Sequence, residues 1–377
     1  MRTYIHQRPG WPRMSWDGAL LAAPLAEVRH RQGRLVGRLE SLGFAARDEA
    51  VLQTLTSDAV TTSDIEGENL DAQQVRSSVA RHLGLDSGAL RPADLRVEGI
   101  VEVLLDATGN HDRPLTAERL FAWHTSLFPG GRSTFGKIAA GKWRDDSTGA
   151  MRVVSGSVSK EAVHFEAPAA SRVPGEMRAF LEWFDADRGI DPVLAAGLAH
   201  LWFVTVHPFD DGNGRIARAI TDMQLARSEK SAQRFYSMSA QIRDERGDYY
   251  SILEHTQKGS LDVTSWMEWF VGCLGRAIDG AEVKLAGVLF KARFWERHRA
   301  VPLNDRQRRV LSRMLEGLEG KLTSTKYARL AKCSQDTASR DINALLDHGV
   351  LVRGAAGGRS TSYDLAGGDP AGGSGPA

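Results

Sequence analysis

What this chain lacks narrows its class before any motif is read. It has two cysteines, Cys273 and Cys333, far apart and in no ligand-like spacing, which excludes a disulfide framework and a cysteine-based zinc site. Neither sign of charge dominates: 48 Lys and Arg face 47 Asp and Glu, a net charge of +1, so no global field draws the chain to nucleic acid or to a membrane surface. No apolar run approaches the roughly 18 residues of a membrane span, and Met1 to Pro9 holds no run of signal-peptide length. These features give the expectation of a cytoplasmic protein with no membrane partner. There is no His-Glu-x-x-His, so His124, His164 and His200 read as packing or hydrogen-bonding histidines. Gly131 to Lys137 and Gly136 to Lys142 each satisfy the first seven positions of a P-loop. Ile138 and Trp143 stand where its Mg2+-binding Ser or Thr belongs, and no strand pattern feeds either stretch. With 377 residues, 42% hydrophobic and 25% charged, the chain is long enough for two or three domains.

What is present is concentrated in His207-Pro208-Phe209-Asp210-Asp211-Gly212-Asn213-Gly214-Arg215-Ile216-Ala217-Arg218. Pro208, Gly212 and Gly214 rule out regular helix from His207 to Asn213, while Ala195 to Val206 and Arg215 to Ala226 carry helical periodicity. The motif is therefore a loop between two helices. Asn213 stands at the expected N-cap, and the flanking glycines let backbone amides at the positive end of the second helix approach an oxyanion. Arg215 and Arg218, three apart, share a face of the first turn and can clamp successive phosphates bidentately. Asp211 can hold Mg2+, which usually takes one or two carboxylates plus phosphate oxygens. His207, ordinarily titrating near 6.5, is the natural general base for an attacking hydroxyl. A capped helix with a solvated arginine face is the bland alternative.

The pattern His-Pro-Phe-x-x-Gly-Asn-Gly-Arg-x-x-Arg, filled without a gap, resembles the signature of the Fic family. That resemblance implies a helical core that binds ATP and Mg2+ and transfers AMP to a hydroxyl side chain of a target protein, releasing pyrophosphate. By position it makes His207 the base and Asp211 the metal ligand. It makes Gly212, Asn213 and Gly214 the α-phosphate cradle and Arg215 and Arg218 the β- and γ-phosphate clamps; Ile216 and Ala217 complete the nucleotide-binding stretch.

Upstream, Thr62-Ser63-Asp64-Ile65-Glu66-Gly67-Glu68 is on its own an acidic helix end followed by glycine. Beside the signature it resembles the family's inhibitory Ser/Thr-x-x-x-Glu-Gly/Asn motif, filled by Thr62, Glu66 and Gly67. The resemblance implies that Glu66 enters the nucleotide pocket, pairs with Arg218 and displaces the γ-phosphate. Glu68 and the helix around Arg76 to Arg81 read as structural.

Met151 to Val154 and Ala162 to Glu166 lean toward β-structure and read as a hairpin turning through Ser155 to Lys160. In similar proteins a flap there holds the target segment as an added strand; an ordinary surface hairpin is the alternative. Tyr4 to Trp16 is an aromatic lead that packs the N-terminus down, before helical patterns at Asp17 to Leu42 and Arg47 to Thr61. It resembles the helical region preceding the Fic core in a bacterial subgroup. Leu115 to Phe128 opens the core with Thr116 as N-cap. Tyr250, rather than Tyr249, is the candidate for the adenine or ribose side of the pocket, with a buried structural role as the alternative.

From Leu303 the character changes. Asn304 to Leu315, Ser324 to Ala331 and Gln335 to His348 read as short helices, and Gly349 to Arg353 with Ser362 to Leu365 as strands around Gly354 to Arg359. Residues 303–365 hold eleven Lys and Arg against seven Asp and Glu. The spacing resembles a winged helix, with Gln335, Thr337, Ser339 and Arg340 as groove-facing candidates. Such modules also bind proteins or dimerise. Gly367 to Ala377 is Gly/Pro-rich and reads as a disordered tail.

The expectation is a mainly α chain: an N-terminal helical region with the inhibitory motif at 1–85, a Fic core with a small hairpin flap at 86–295, a winged helix-turn-helix at 303–365 and a tail at 366–377. The function expected is autoinhibited transfer of AMP from ATP to a Ser, Thr or Tyr hydroxyl of a protein, the chain itself included. Alternatives are a nucleotide-sensing transcription regulator acting on DNA through 303–365, and removal of AMP from modified protein. A second copy of the chain is a further candidate partner.

Overall fold

The computed structural model describes residues 3–40, 44–85, 92–133, 136–145, 147, 149–155, 162–315, 317–318, 320–354 and 361–367. The flap turn at 156–161, most of the segment expected at Gly354 to Arg359, and the tail from 368 lie outside them. Among the described residues the chain forms fourteen α-helices and three two-stranded antiparallel hairpins, the mainly helical class expected. It divides into two compact units, Met1–Ala281 and Glu282–Ala377, with the division inside a long helix and upstream of the boundary suggested by composition.

The first unit begins with the aromatic lead. Trp11 Nε1 donates to Glu176 at 2.8 Å, and the Trp11 ring stands edge-on to Trp202, so the lead is packed down as expected. Helices α1 (Gly18–Glu40), α2 (Phe44–Ile65), α3 (Ala72–His82), α4 (Leu95–Gly109) and α5 (Ala117–Leu127) follow. Thr116 caps α5, its side chain accepting from the Arg119 amide. A short hairpin, β1 (Arg132–Ser133) with β2 (Gly136–Lys137), occupies the P-loop-like stretch, too brief for its sequence to announce. The expected flap is β3 (Arg152–Ser155) paired with β4 (Ala162–Glu166), with an irregularity between Val153 and Val154.

After α6 (Val173–Asp185) comes the helix that positions the site, α7 (Pro192–Val206). Asp191 caps it, accepting from the Val193 amide, and Pro192 opens it where a missing N–H costs nothing. Its sequence is apolar all round, so it is buried all round, with every residue from Ala196 to Val206 inside the unit. It packs against α8 (Asn213–Glu229), where Ile216, Ala217, Ile220 and Met223 join Phe203, Val204 and Val206 in one core. The loop between α7 and α8 is thus held at both ends by buried helices. Helices α9 (Met238–Asp244), α10 (Arg246–Gln257) and α11 (Thr264–Arg297) follow.

In the second unit α12 (Asp305–Leu315), α13 (Ser324–Ala331) and α14 (Gln335–Asp347) pack around Val310, Tyr327, Ile342 and Leu345, and β5 (Leu351–Arg353) pairs with β6 (Tyr363–Leu365). Asp341 on α14 accepts from Arg306, Asn304 and the Tyr327 hydroxyl, pinning the three helices through one buried carboxylate. Ser334 caps α14 through the Thr337 amide. Gln335 donates to Ser324 and Thr337 bonds Ser334, so of the four groove-facing candidates Ser339 and Arg340 are the exposed ones not spent on these local bonds.

Candidate functional site

His207 terminates α7 in the left-handed region, at φ 52 and ψ 58, a conformation that a non-glycine residue keeps only when its surroundings impose it. Its imidazole is half-buried, and Nδ1 lies 3.2 Å from the Val204 carbonyl oxygen. Since a carbonyl only accepts, Nδ1 carries the proton and Nε2 holds the lone pair. Burial pushes the His207 pKa down to about 4, and the charge of Arg144 adds to this, so the ring is neutral and basic at neutral pH.

Gly212, in the left-handed region, caps α8, one residue earlier than the N-cap expected at Asn213. The Asn213 side chain turns back instead: Oδ1 accepts from the Phe209 amide at 3.0 Å and Nδ2 donates to its carbonyl at 2.8 Å. An asparagine side chain carries both a donor and an acceptor, and bonding one residue's N–H and C=O uses the pair fully. Asn213 thereby ties the loop together and offers a ligand only its backbone amide. His124, buried and stacked on Phe209, holds the same loop, accepting from the Gly141 amide at Nδ1 and donating from Nε2 to the Asp211 carbonyl. His200 bonds Thr221 and the Tyr249 hydroxyl, and His164 bonds Ser155 and Glu254, so all three histidines are hydrogen-bonded as expected.

Both arginines of the motif are almost fully buried, Arg215 at 3% and Arg218 at 2% side-chain exposure, and both are held by carboxylates. Arg218 donates from Nε to the Thr62 hydroxyl at 2.7 Å and from Nη2 to the Thr62 carbonyl at 2.9 Å and Glu66 Oε1 at 2.7 Å. Arg215 donates to Glu68 at 2.7 Å and lies over the Phe128 ring. The end of α2 explains why two carboxylates arrive together. The Gly67 amide donates to Asp64, the Glu68 amide to Ser63, and Gly67 takes φ +81, which is a Schellman turn. That turn aims Glu66 and Glu68 at neighbouring points on α8. Glu68, read from sequence as structural, is therefore a partner of the motif; its alignment with Arg215 depends on a turn no local pattern reveals.

Glu66 also occupies the start of α8. A Cβ built on Gly214 would stand 2.1 Å from Glu66 Oε1, so only glycine lets a carboxylate approach this closely. The first amides of α8 have no partner within the helix, and the positive end of its dipole favours an anion. The carboxylate sits where that anion belongs.

Two observations show that the residues suit an anion. Arg218 Nη1 and Arg215 Nε are buried donors with no hydrogen-bond partner among the described residues, and the amide cradle is open to any anion that displaces Glu66. For a metal the donor set is smaller. Among the described residues no group of three or more His, Cys, Asp or Glu could hold an ion. Asp211, partly exposed at 23%, is one carboxylate of the kind Mg2+ takes when phosphate oxygens and water complete its shell. Tyr249 is buried with its hydroxyl on His200, whereas Tyr250 is 39% exposed and raised in pKa by burial and by the charge of Glu66. Tyr250 is thus the more exposed of the two tyrosines, with Arg246 over its ring.

The buried His124 and His200 and the half-buried His207 give the first unit a measurable acid sensitivity. Burial lowers His124 and His207 to about 4 and His200 to about 3, from an ordinary 6.5. Below pH 6.5 the unfolded chain binds protons that the folded chain refuses, so stability falls with acidification by up to about 1.4 kcal/mol per pH unit for each histidine. The melting temperature should drop between pH 7 and 5, and His200→Gln should lessen that dependence; a flat profile would contradict the assignment.

The comparisons with known proteins agree with this geometry. Residues 114–225 match the model of the Fic/DOC family, and residues 4–85 match a domain of unknown function, DUF4172. Over 114 residues the chain is 33% identical to the protein adenylyltransferase Fic of Nematostella vectensis, covering 30% of this chain and 25% of that protein. The Drosophila grimshawi protein of the same name is 29% identical over 105 residues, 27% of this chain and 20% of that one. The matches thus span a quarter or less of these relatives. Among solved structures, a Fic family protein from Desulfovibrio desulfuricans G20 superposes with a TM-score of 0.52 at 21% identity, over 92% of this chain and 97% of that one. Fic-1 from C. elegans superposes with a TM-score of 0.50 at 20% identity, over 73% of this chain and 75% of that one. At such identities the likeness is one of fold. With an unbroken signature seated between two buried helices, and the family model lying across both of them, residues 114–225 carry a Fic domain.

Proposed function

We propose that this protein is an adenylyltransferase, held inactive by its own α2, that moves AMP from ATP to a Ser, Thr or Tyr hydroxyl of a protein. The observation that carries this reading is the Glu66 carboxylate bound to Arg218 over the N-terminus of α8, beside a neutral imidazole at His207. An anion site occupied by an internal carboxylate is one that an external phosphate must win. When Thr62 and Glu66 release Arg218 and Glu68 releases Arg215, the two guanidiniums are free to clamp the terminal phosphates, and the amides of Gly212, Asn213 and Gly214 cradle the α-phosphate, with Ile216 and Ala217 extending that wall. Mg2+ at Asp211 would neutralise phosphate charge. Tyr250 would lie along the base or ribose. The acceptor hydroxyl gives its proton to His207 Nε2, its oxygen bonds the α-phosphorus, and the bond to pyrophosphate breaks. The hairpin β3–β4 presents edges to which a target segment can add as a strand.

The unpaired Cys273 and Cys333 suit a reducing compartment, and we place the reaction in the cytoplasm. Among the described residues no helix is long and apolar enough to cross a membrane. Helices α12 to α14 with β5–β6 we read as a winged helix-turn-helix, for which α14 with Ser339 and Arg340 outward is the recognition helix and DNA the candidate partner. The function is tested with Glu66→Gly protein, a cell lysate and ATP labelled at either the α- or the γ-phosphate. Label should stay on protein from α-labelled ATP alone; retention of γ label, or of neither, would refute nucleotidyl transfer.

A further inference from the structure

His207 keeps a backbone conformation that its residue type disfavours, and the side chain that imposes it comes from outside the motif. Arg144 lies between β2 and β3 and is 3% exposed. Its backbone amide donates to the Pro208 carbonyl at 2.9 Å, its Nε to the His207 carbonyl at 2.7 Å, and its Nη2 to the carbonyl of Pro168, just after β4. The Val206 carbonyl is 3.5 Å from the same Nη2. The last carbonyls of a helix have no intrahelical donor and sit at the negative end of its dipole, where a cation is favoured. One guanidinium therefore satisfies the end of α7, fixes the left-handed turn, and joins both roots of the β3–β4 hairpin to it. A planar fork with donors in fixed directions can do this, and a flexible ammonium cannot.

We propose that Arg144 is a positioning residue of the transfer reaction, holding the His207 imidazole in one orientation relative to both the nucleotide loop and the hairpin. This rests on His207 being the base. Among the described residues Arg144 bonds the carbonyls of Val206, His207, Pro208 and Pro168 and not the residues that would clamp phosphate, so its loss acts on the geometry of proton transfer and leaves nucleotide binding alone. Misplacing a catalytic group by about 1 Å is enough to lower a rate by about two orders of magnitude.

The test uses the full chain with Glu66→Gly to release inhibition, and compares it with the same protein carrying Arg144→Lys or Arg144→Gln. Both should lower kcat at least tenfold while the KM for ATP and the affinity for a non-hydrolysable ATP analogue stay within about twofold of the parent. Arg144→Gln, which removes a positive charge near His207, should also move the acidic limb of the pH–rate profile upward, whereas Arg144→Lys should leave it in place. Should the glutamine variant fold poorly, the lysine variant, which keeps the charge, carries the kcat test alone. A parental kcat in Arg144→Lys, or a loss confined to KM, overturns the proposal. If His207→Ala transfers normally in the same background, the base assignment fails instead.

Discussion

Glu66→Gly protein incubated with α-labelled ATP labels itself about 10- to 100-fold faster than the parent. The magnitude follows from what the substitution removes. A charge-assisted hydrogen bond contributes about 1.5–3 kcal/mol, and that pairing is present only in the closed state, so the competing nucleotide no longer has to overcome it. Glycine at 66 also clears the space beside Gly214, where the carboxylate now fills the entrance to the α8 amides. Thr62 remains bonded to Arg218 in the variant, but a hydroxyl is neutral and does not repel a phosphate. Glu68 remains on Arg215, so release is incomplete, and Glu66→Gly with Glu68→Ala should exceed the single variant. The two carboxylates leave one Schellman turn, so their effects should couple instead of adding. Equal labelling of parent and Glu66→Gly protein would mean that α2 does not govern access to the site.

The parts of this site legible in the sequence are those whose partners lie within one turn of chain. The loop between α7 and α8, the arginines on one face, and the apolar run that buries α7 follow from spacing alone. Fic resemblance supplied the pairing of Glu66 with Arg218, which no local rule predicts across so long a separation. Asn213 shows how a local rule misleads: an asparagine at a helix start suggests a cap, yet a glycine in the left-handed region ends the loop first and frees the amide to bond Phe209. Glu68 and Arg144 were illegible for a different reason. Each acts through a turn or a helix end formed by another segment, and an isolated Glu or Arg in a polar stretch looks the same whether solvated or buried. The helices and strands of the second unit were readable element by element from spacing, and Thr323 and Ser334 cap the starts of α13 and α14.

In the Glu66→Gly background, His207→Ala abolishes transfer, lowering kcat by about 10²- to 10⁴-fold, the range of a general base, with nucleotide affinity unchanged. Affinity is spared because the imidazole's hydrogen bond runs to Val204 within α7 and not to either arginine or to the α8 amides. Alanine at this position must still adopt φ 52, which costs it roughly 1–2 kcal/mol, so a lost rate could be ascribed to a collapsed turn. His207→Asn separates the two causes. Asparagine tolerates the left-handed region far better than other non-glycine residues and cannot accept a proton near neutral pH. If the imidazole is the base, both variants are inactive while the asparagine variant melts nearer the parent. If the residue serves only to shape the turn, His207→Asn retains transfer, and the mechanism must find its base elsewhere. The pH profile gives an independent check on the same group. A ring lowered to about 4 stays unprotonated through the physiological range, so the rate should hold on acidification past the ordinary 6.5 before it declines.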